Sequence, residues 1–277
     1  MPIHDDLGKR MKEFYENVPK TKLMRRTPVA IRIDGKAFHT FTRGFNKPFD
    51  DVLISAMQDT MKYLCENIQG CVLGYTQSDE ITLILVDYKR LNSSAWFDYE
   101  VQKMCSIAAS MATMAFNKAF SRAINEEVIK WATGLTPQSV KIQREHQKYI
   151  ETLRAAETKG AMFDARCFNI PKEEVTNLVY WRQLDATRNS IQMVGQANFS
   201  HKELQGKSCE KIKEMLITEK RISWEDFHPM YKHGSCCIKV TTEIDGTTRS
   251  GWEVDKNIPL FVGEGREYIE SLIQCEE

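Results

Sequence analysis

Val29-Ala30-Ile31-Arg32-Ile33-Asp34-Gly35 and Val72-Leu73-Gly74-Tyr75-Thr76-Gln77-Ser78-Asp79-Glu80-Ile81-Thr82-Leu83-Ile84-Leu85-Val86 decide the fold of this chain. The first is a short β-branched run, hence a strand, and Gly35 marks a sharp exit behind Asp34. The second reads as two strands joined by an acidic tip, a β-hairpin. Between them, residues 51–67 have helical periodicity through Val52, Ile54, Met57, Met61 and Leu64. A helix spanning two such strands can bring Asp34 and Asp79 together at one edge of a sheet. There they repel each other unless cations sit between them. Two divalent metals about 3.5–4 Å apart are the usual partners of such a site, and they suit phosphoryl or nucleotidyl transfer.

Outward from this unit, residues 99–120 read as a helix rich in small residues (Ala108, Ala109, Ser110, Ala112, Ala115), which lets it sit close on a sheet. Phe163-Asp164-Ala165-Arg166, within residues 161–169, supplies a further strand. The order β-α-β-β-α-β is an α+β, ferredoxin-like or polymerase-palm topology with helices on one face. Residues 5–17 read as an amphipathic helix with Leu7, Met11, Phe14 and Tyr15 near one face. Residues 36–50 mix Phe38, Phe41, Phe45 and Phe49 with Gly44 and Pro48 and read as an irregular substrate loop. Residues 123–159 read as a charged, exposed helical excursion. Pro171 suits the first turn of a helix carrying Tyr180-Trp181-Arg182-Gln183. Ser200-His201-Lys202-Glu203 fits a capping box, and residues 237–254 read as a hairpin turning at Asp245-Gly246. The expected organisation is an N-terminal helix and basic connector (1–28), a palm-like catalytic unit (29–169), and a helical region with a small β-containing end (170–277).

The composition is that of a globular protein: 277 residues, 42% hydrophobic, 27% charged, with formal net charge zero. A chain without a cationic field binds nucleic acid only through a local basic face. Lys9, Arg10, Lys12, Lys20, Lys22, Arg25 and Arg26 offer one, or else a solvated helix face and linker. The eight cysteines form no Cys-x-x-Cys pair, Met1-Pro2-Ile3-His4-Asp5 opens no signal peptide, and no apolar run reaches the length of a membrane span. Reduced thiols in a cytoplasmic protein are expected, most of them filling the core.

Asp34 and Asp79 are the catalytic candidates, because Mg²⁺ prefers hard oxygen ligands and keeps waters and substrate phosphates. Singly, each reads equally as an ordinary turn residue. Gly35 lets backbone approach a metal or phosphate. Glu80 alternates to the opposite strand face and is expected to be a structural partner. Lys36, Arg43 and Lys47 can offset triphosphate charge. His39 either meets a base or phosphate or packs beside Phe38 and Phe41. Arg166 and Arg182 are candidates for 5′-phosphate contacts, or for salt bridges to nearby carboxylates.

Taken together, Ile31-Arg32-Ile33-Asp34-Gly35-Lys36-Ala37-Phe38-His39, Lys47-Pro48 and Gly74-Tyr75-Thr76-Gln77-Ser78-Asp79-Glu80 resemble the catalytic signatures of the tRNA-His guanylyltransferase family. Phe163-Asp164-Ala165-Arg166, Trp181-Arg182-Gln183-Leu184-Asp185 and Ser200-His201-Lys202-Glu203-Leu204 match further blocks in order. The resemblance implies a palm-like enzyme that adds nucleotides to tRNA 5′ ends in the 3′–5′ direction after ATP- or GTP-dependent activation of the 5′ end. It implies two Mg²⁺ ions held by Asp34, Asp79 and the backbone carbonyl of Gly35. It implies nucleoside triphosphate contacts from Asp34, Gly35, Lys36, Ala37, Phe38, His39, Lys47, Asp50, Ser78 and Asp79, and a homotetramer.

One tract departs from the family. Members that add the extra guanylate to histidine tRNA carry His-Ile-Asn-Asn, a tract tied to the histidine anticodon, where this chain has Thr187-Arg188-Asn189-Ser190. Only Asn189 agrees, and Arg188 becomes a candidate sequence-independent phosphate contact. This favours the guanylyltransferase-like proteins of bacteria and their viruses, which repair 5′-truncated tRNAs by templated addition. Strict guanylate addition, a palm-fold nucleotide cyclase or dinucleotide synthase, and a tRNA-binding module without catalysis are the competing readings.

Overall fold

The computed structural model describes residues 5–134, 139–244 and 247–275. Residues 1–4 and the Asp245-Gly246 turn expected from the sequence lie outside the described residues.

The N-terminal helix α1 (Asp6–Met11) continues through a wider π-helical turn, Lys12–Glu16, and buries none of its side chains. Strand β1 (Val29–Gly35) is followed by one turn of helix, α2 (Phe38–Phe41), and then by α3 (Asp51–Asn67). Strands β2 (Cys71–Gln77) and β3 (Glu80–Leu85) form the hairpin, with Ser78-Asp79 alone as its loop. Helix α4 (Val101–Ala132) runs well past Phe120, and α5 (Val140–Lys159) returns to β4 (Phe163–Asn169). Helix α6 (Val175–Asn198) and the short α7 (His201–Leu204) follow. The capping box at Ser200 and Glu203 is formed in both directions. Strands β5 (Ser235–Ile244) and β6 (Thr247–Asp255) complete one antiparallel sheet in the order β4-β1-β3-β2-β5-β6.

The chain order β-α-β-β-α-β is present, with α5 added before the last strand. Beyond Asn169, the C-terminal hairpin does not stand apart: β5 pairs with β2 and lengthens the same sheet.

Helices cover both faces of the sheet, where one covered face was expected. Ile31, Ile33, Ile81, Leu83 and Leu85 face α3 and α4, whereas Ala30, Leu73, Tyr75 and Ile84 meet Val175 and Val179 of α6. Strand β3 shows it: Ile81, Leu83 and Leu85 lie on one parity and Glu80, Thr82 and Ile84 on the other, yet all six are buried. A half-solvated strand would alternate. Ala108, Ala112, Ala115, Ala119 and Ala123 line the buried side of α4, so that long helix lies close against its neighbours.

The aromatic stretch after β1 folds inward. Phe38, Phe41 and Phe45 pack with Phe116, Phe120 and Phe163, ring centroids 5.1–5.8 Å apart. Burial of three rings outweighs the loop character that Gly44 and Pro48 suggest. Phe49 alone turns elsewhere, stacking on Tyr231 at 4.8 Å. The basic connector is consumed by local pairing: Arg25 binds Asp87 and Asp98, and Lys22 binds Asp98.

Candidate active site

Asp34 closes β1 and Asp79 sits in the adjoining hairpin loop. Register aligns Asp34 with Glu80 on one side and with Asp164 on the other. Two backbone bonds hold this corner. The Gly35 N–H donates to the Asp79 carbonyl at 3.1 Å, and the Lys36 N–H to the Met162 carbonyl at 2.8 Å. Ser78 reaches the tight loop with φ +49°, and its hydroxyl donates to Asp79 Oδ1 at 3.0 Å. Burial pushes the Asp79 carboxyl above its usual range, the Ser78 hydrogen bond opposes this, and the charge of Asp34 adds to it. Asp34 thus adds repulsion to a carboxylate that burial already disfavours.

A cavity of about 510 Å³ opens in front of them. Asp34, Gly35, Ala37, Phe38, His39, Lys47, Asp50, Ser78 and Asp79 all line it. Lys36 does not; its side chain is exposed outside the cavity, as is that of Arg43. Phe38 contributes one edge of a ring otherwise buried in the core. Gly35 is sterically required there, because a Cβ at that position would lie 2.3 Å from the Phe38 ring. Ala37 takes φ +54°, a left-handed conformation a side chain rarely adopts, and so bends the chain around the cavity.

Asp50 is buried and spends its oxygens on the fold. It accepts from the Leu53 N–H (2.9 Å) as N-cap of α3, from the Asn46 N–H (3.0 Å) and from the Tyr149 hydroxyl (2.8 Å). Burial raises its pKa, and these donors pull against the rise. Met193 and Gln196 of α6, with Thr42 and Asn46, complete the wall. No local pattern marks Met193 and Gln196; they reach the site because α6 packs across the sheet end, whereas Thr42 and Asn46 come from the stretch after β1.

Glu80 faces away from the cavity into a buried ion pair. Arg182 Nε donates to its Oε1 at 2.7 Å, and Arg32 Nε lies 3.4 Å from Oε2. Arg182 also binds Asp185 at 2.9 Å, leaving its side chain 8% exposed. This arginine ties α6 to the tip of the hairpin that carries Asp79. Arg166 remains 56% exposed beside Asp164, and Arg188 is 61% exposed beside Asp185. Asn189 lines a smaller cavity of about 90 Å³ behind Ser78.

Among the described residues no cluster of three or more His, Cys, Asp and Glu side chains is placed to hold a metal. Asp34, Asp79 and the Gly35 carbonyl are hard oxygen donors and are the groups that would hold magnesium, an ion that fills its remaining positions with water and substrate phosphate oxygens. Among the described residues no helix is long and apolar enough to cross a membrane.

The chain is similar, over 97% of its length and 99% of theirs, to two solved structures of a bacterial tRNA(His) guanylyltransferase-like protein. The one in complex with ATP has a TM-score of 0.76 at 39% identity. The one in complex with GTP has a TM-score of 0.74 at 37% identity. It is 28% identical over 262 residues to an uncharacterized protein of Acanthamoeba polyphaga mimivirus, covering 90% of this chain and 82% of that one. It is 24% identical over 221 residues to the tRNA(His) guanylyltransferase of Candida glabrata, covering 75% and 80%. The family model of tRNAHis guanylyltransferase matches residues 8–171. The chain belongs to the tRNAHis guanylyltransferase family and is a tRNA nucleotidyltransferase.

Proposed function

We propose that this protein restores 5′-truncated tRNAs, adding nucleotides in the 3′–5′ direction against the opposite strand of the acceptor stem. The observation that carries the proposal is the convergence of Asp34 and Asp79 on one cavity with His39, Lys47 and Ser78. The β-α-β-β-α-β sheet serves as a polymerase-like palm, with the carboxylates at its edge. Asp34, Asp79 and the Gly35 carbonyl hold magnesium, which when bound offsets phosphate charge and favours the hydroxyl as nucleophile. Lys47 meets a triphosphate as a point charge, and the Ser78 hydroxyl keeps the Asp79 carboxylate aimed into the cavity. Asp50 acts at one remove, capping α3 and anchoring Asn46 on the cavity wall.

The reaction falls into two displacements. The tRNA 5′-monophosphate attacks a nucleoside triphosphate and releases pyrophosphate. The 3′-hydroxyl of the incoming nucleotide then attacks the activated 5′ phosphorus and releases the nucleoside monophosphate.

Thr187-Arg188-Asn189-Ser190 in place of His-Ile-Asn-Asn favours repair over guanylate addition to histidine tRNA alone. The likeness to a bacterial guanylyltransferase-like protein along nearly the whole chain supports the same reading. We further propose a cytoplasmic homotetramer.

The deciding experiment supplies Mg²⁺, ATP and all four nucleoside triphosphates to two RNAs, full-length tRNA-His and a tRNA lacking its first 5′ nucleotide. Products are mapped at single-nucleotide resolution. Template-matched restoration that stops at the completed stem is expected. Untemplated guanylate on tRNA-His alone establishes the strict guanylyltransferase reading instead. Nucleotide turnover without any RNA requirement points to a cyclase.

A further inference from the structure

The sheet face beside the carboxylates carries an exposed aromatic ring among cations. Trp181 of α6 is 51% exposed. The Arg182 guanidinium carbon lies 4.4 Å from its ring centroid and that of Arg32 lies 5.7 Å away. Arg32 stands two residues before Asp34 on β1, about 7 Å along the strand. Its direct neighbour on β4 is the exposed Arg166. Buried Arg32 Nε lacks a hydrogen-bond partner; Glu80 is near enough to pair electrostatically but not aligned to accept. Leu184, one turn further along α6, and Met162, just before β4, are exposed on either flank.

A single exposed hydrophobic residue needs no explanation. This one differs in its surroundings. An indole held by an arginine that is itself locked onto Glu80 and Asp185 is preorganised, so a ligand stacking on it orders little that is not already ordered. A half-exposed indole with guanidinium groups packed over the ring matches a nucleobase and its phosphate, the base by stacking on the exposed part and the phosphate by a guanidinium. Through Arg32, two residues from Asp34 on β1, the ring adjoins the carboxylate end of the sheet, so the base that fits there belongs to the RNA end brought to the carboxylates.

We propose that Trp181, held by Arg182 and Arg32 with Arg166 beside Arg32 on the next strand, is a stacking platform for a base at the RNA end presented to Asp34 and Asp79. This rests on the tRNA reading given above. Trp181 positions the RNA and takes no part in bond making; Arg166 supplies a backbone phosphate contact by leaving its exposed pairing with Asp164.

The test measures binding of a tRNA transcript lacking its first 5′ nucleotide to the full-length protein, with ATP affinity measured separately. Trp181→Leu, which keeps apolar bulk but loses the π-face, is expected to weaken tRNA binding about tenfold, the scale of one lost base stack. Trp181→Phe keeps most of the affinity, and ATP affinity holds in both. Arg166→Ala lowers the slope of log affinity against log salt by about one. Wild-type tRNA binding unchanged in Trp181→Leu would overturn this inference alone. Absence of tRNA binding by the wild-type protein would overturn it together with the tRNA reading.

Discussion

Asp79 and Glu80 are adjacent in sequence and have opposite fates. Asp79 is raised in pKa by burial and by Asp34, with only the Ser78 hydroxyl and backbone in opposition. A raised carboxylate favours the fold while protonated, and that contribution is lost as pH rises through its folded pKa. Ionised Asp79 therefore costs stability at neutral pH. Asp79→Asn is expected to unfold at higher urea than wild type in EDTA at pH 7.5, the gap closing as pH falls below the ordinary carboxylate range. The same substitution removes a proposed magnesium ligand and should lower nucleotide incorporation about 10³-fold or more, several kcal/mol of transition-state stabilisation. Added Mg²⁺ should raise the melting temperature of wild type and leave Asp79→Asn unmoved. Equal urea midpoints at every pH would remove the charge-crowding account. Glu80 is also raised by burial, but Arg182 and Arg32 counter it. Removing Arg182 strands a buried carboxylate, so Arg182→Ala should cost about 3–5 kcal/mol in chemical denaturation, and Arg182→Ala with Glu80→Gln much less.

At the scale of elements, the site depends on how β1 ends. Gly35 lets the strand turn past the Phe38 ring, and that ring is wedged among Phe41, Phe116 and Phe163. Gly35→Ala must push either the aromatic cluster or Asp34 aside. A loss of about 1–3 kcal/mol in stability is expected from overpacking. Incorporation activity should fall further than stability alone explains, because a displacement of about 1 Å at a positioned group can cost 10²-fold. Wild-type turnover in a fully folded Gly35→Ala would show that the strand end tolerates movement. The paired strands were legible from β-branched runs and the helix Asp51–Asn67 from its period, bounds included. The aromatic stretch was not, because Gly44 and Pro48 speak locally for a loop whereas the rings are buried by helix α4, seventy residues further on.

At the scale of the molecule, a chain with net charge zero must bind a polyanion through local features, and its own carboxylates compete for its cations. The N-terminal basic residues show the competition: Arg25 and Lys22 are already paired. Light scattering of the purified protein is expected to give about four times 32.0 kDa, the mass of one chain; a single-chain mass would remove the tetramer proposal.

What this sequence determined by itself was which carboxylates stand at the sheet edge. Asp34-Gly35 and Ser78-Asp79 stand at strand ends, and strand ends are set by residues within a few positions of each other, through β-branching, glycine and turn geometry. Only the tertiary structure decided what closes the cavity and which charges are spent inside the fold. Met193 and Gln196 reach the wall, and Arg182 reaches Glu80, because α6 lies across the second sheet face. That face is covered because Ala30, Leu73, Tyr75 and Ile84 on it demand burial, a demand satisfied by a helix some ninety residues beyond β3, and no local sequence pattern encodes which helix answers it.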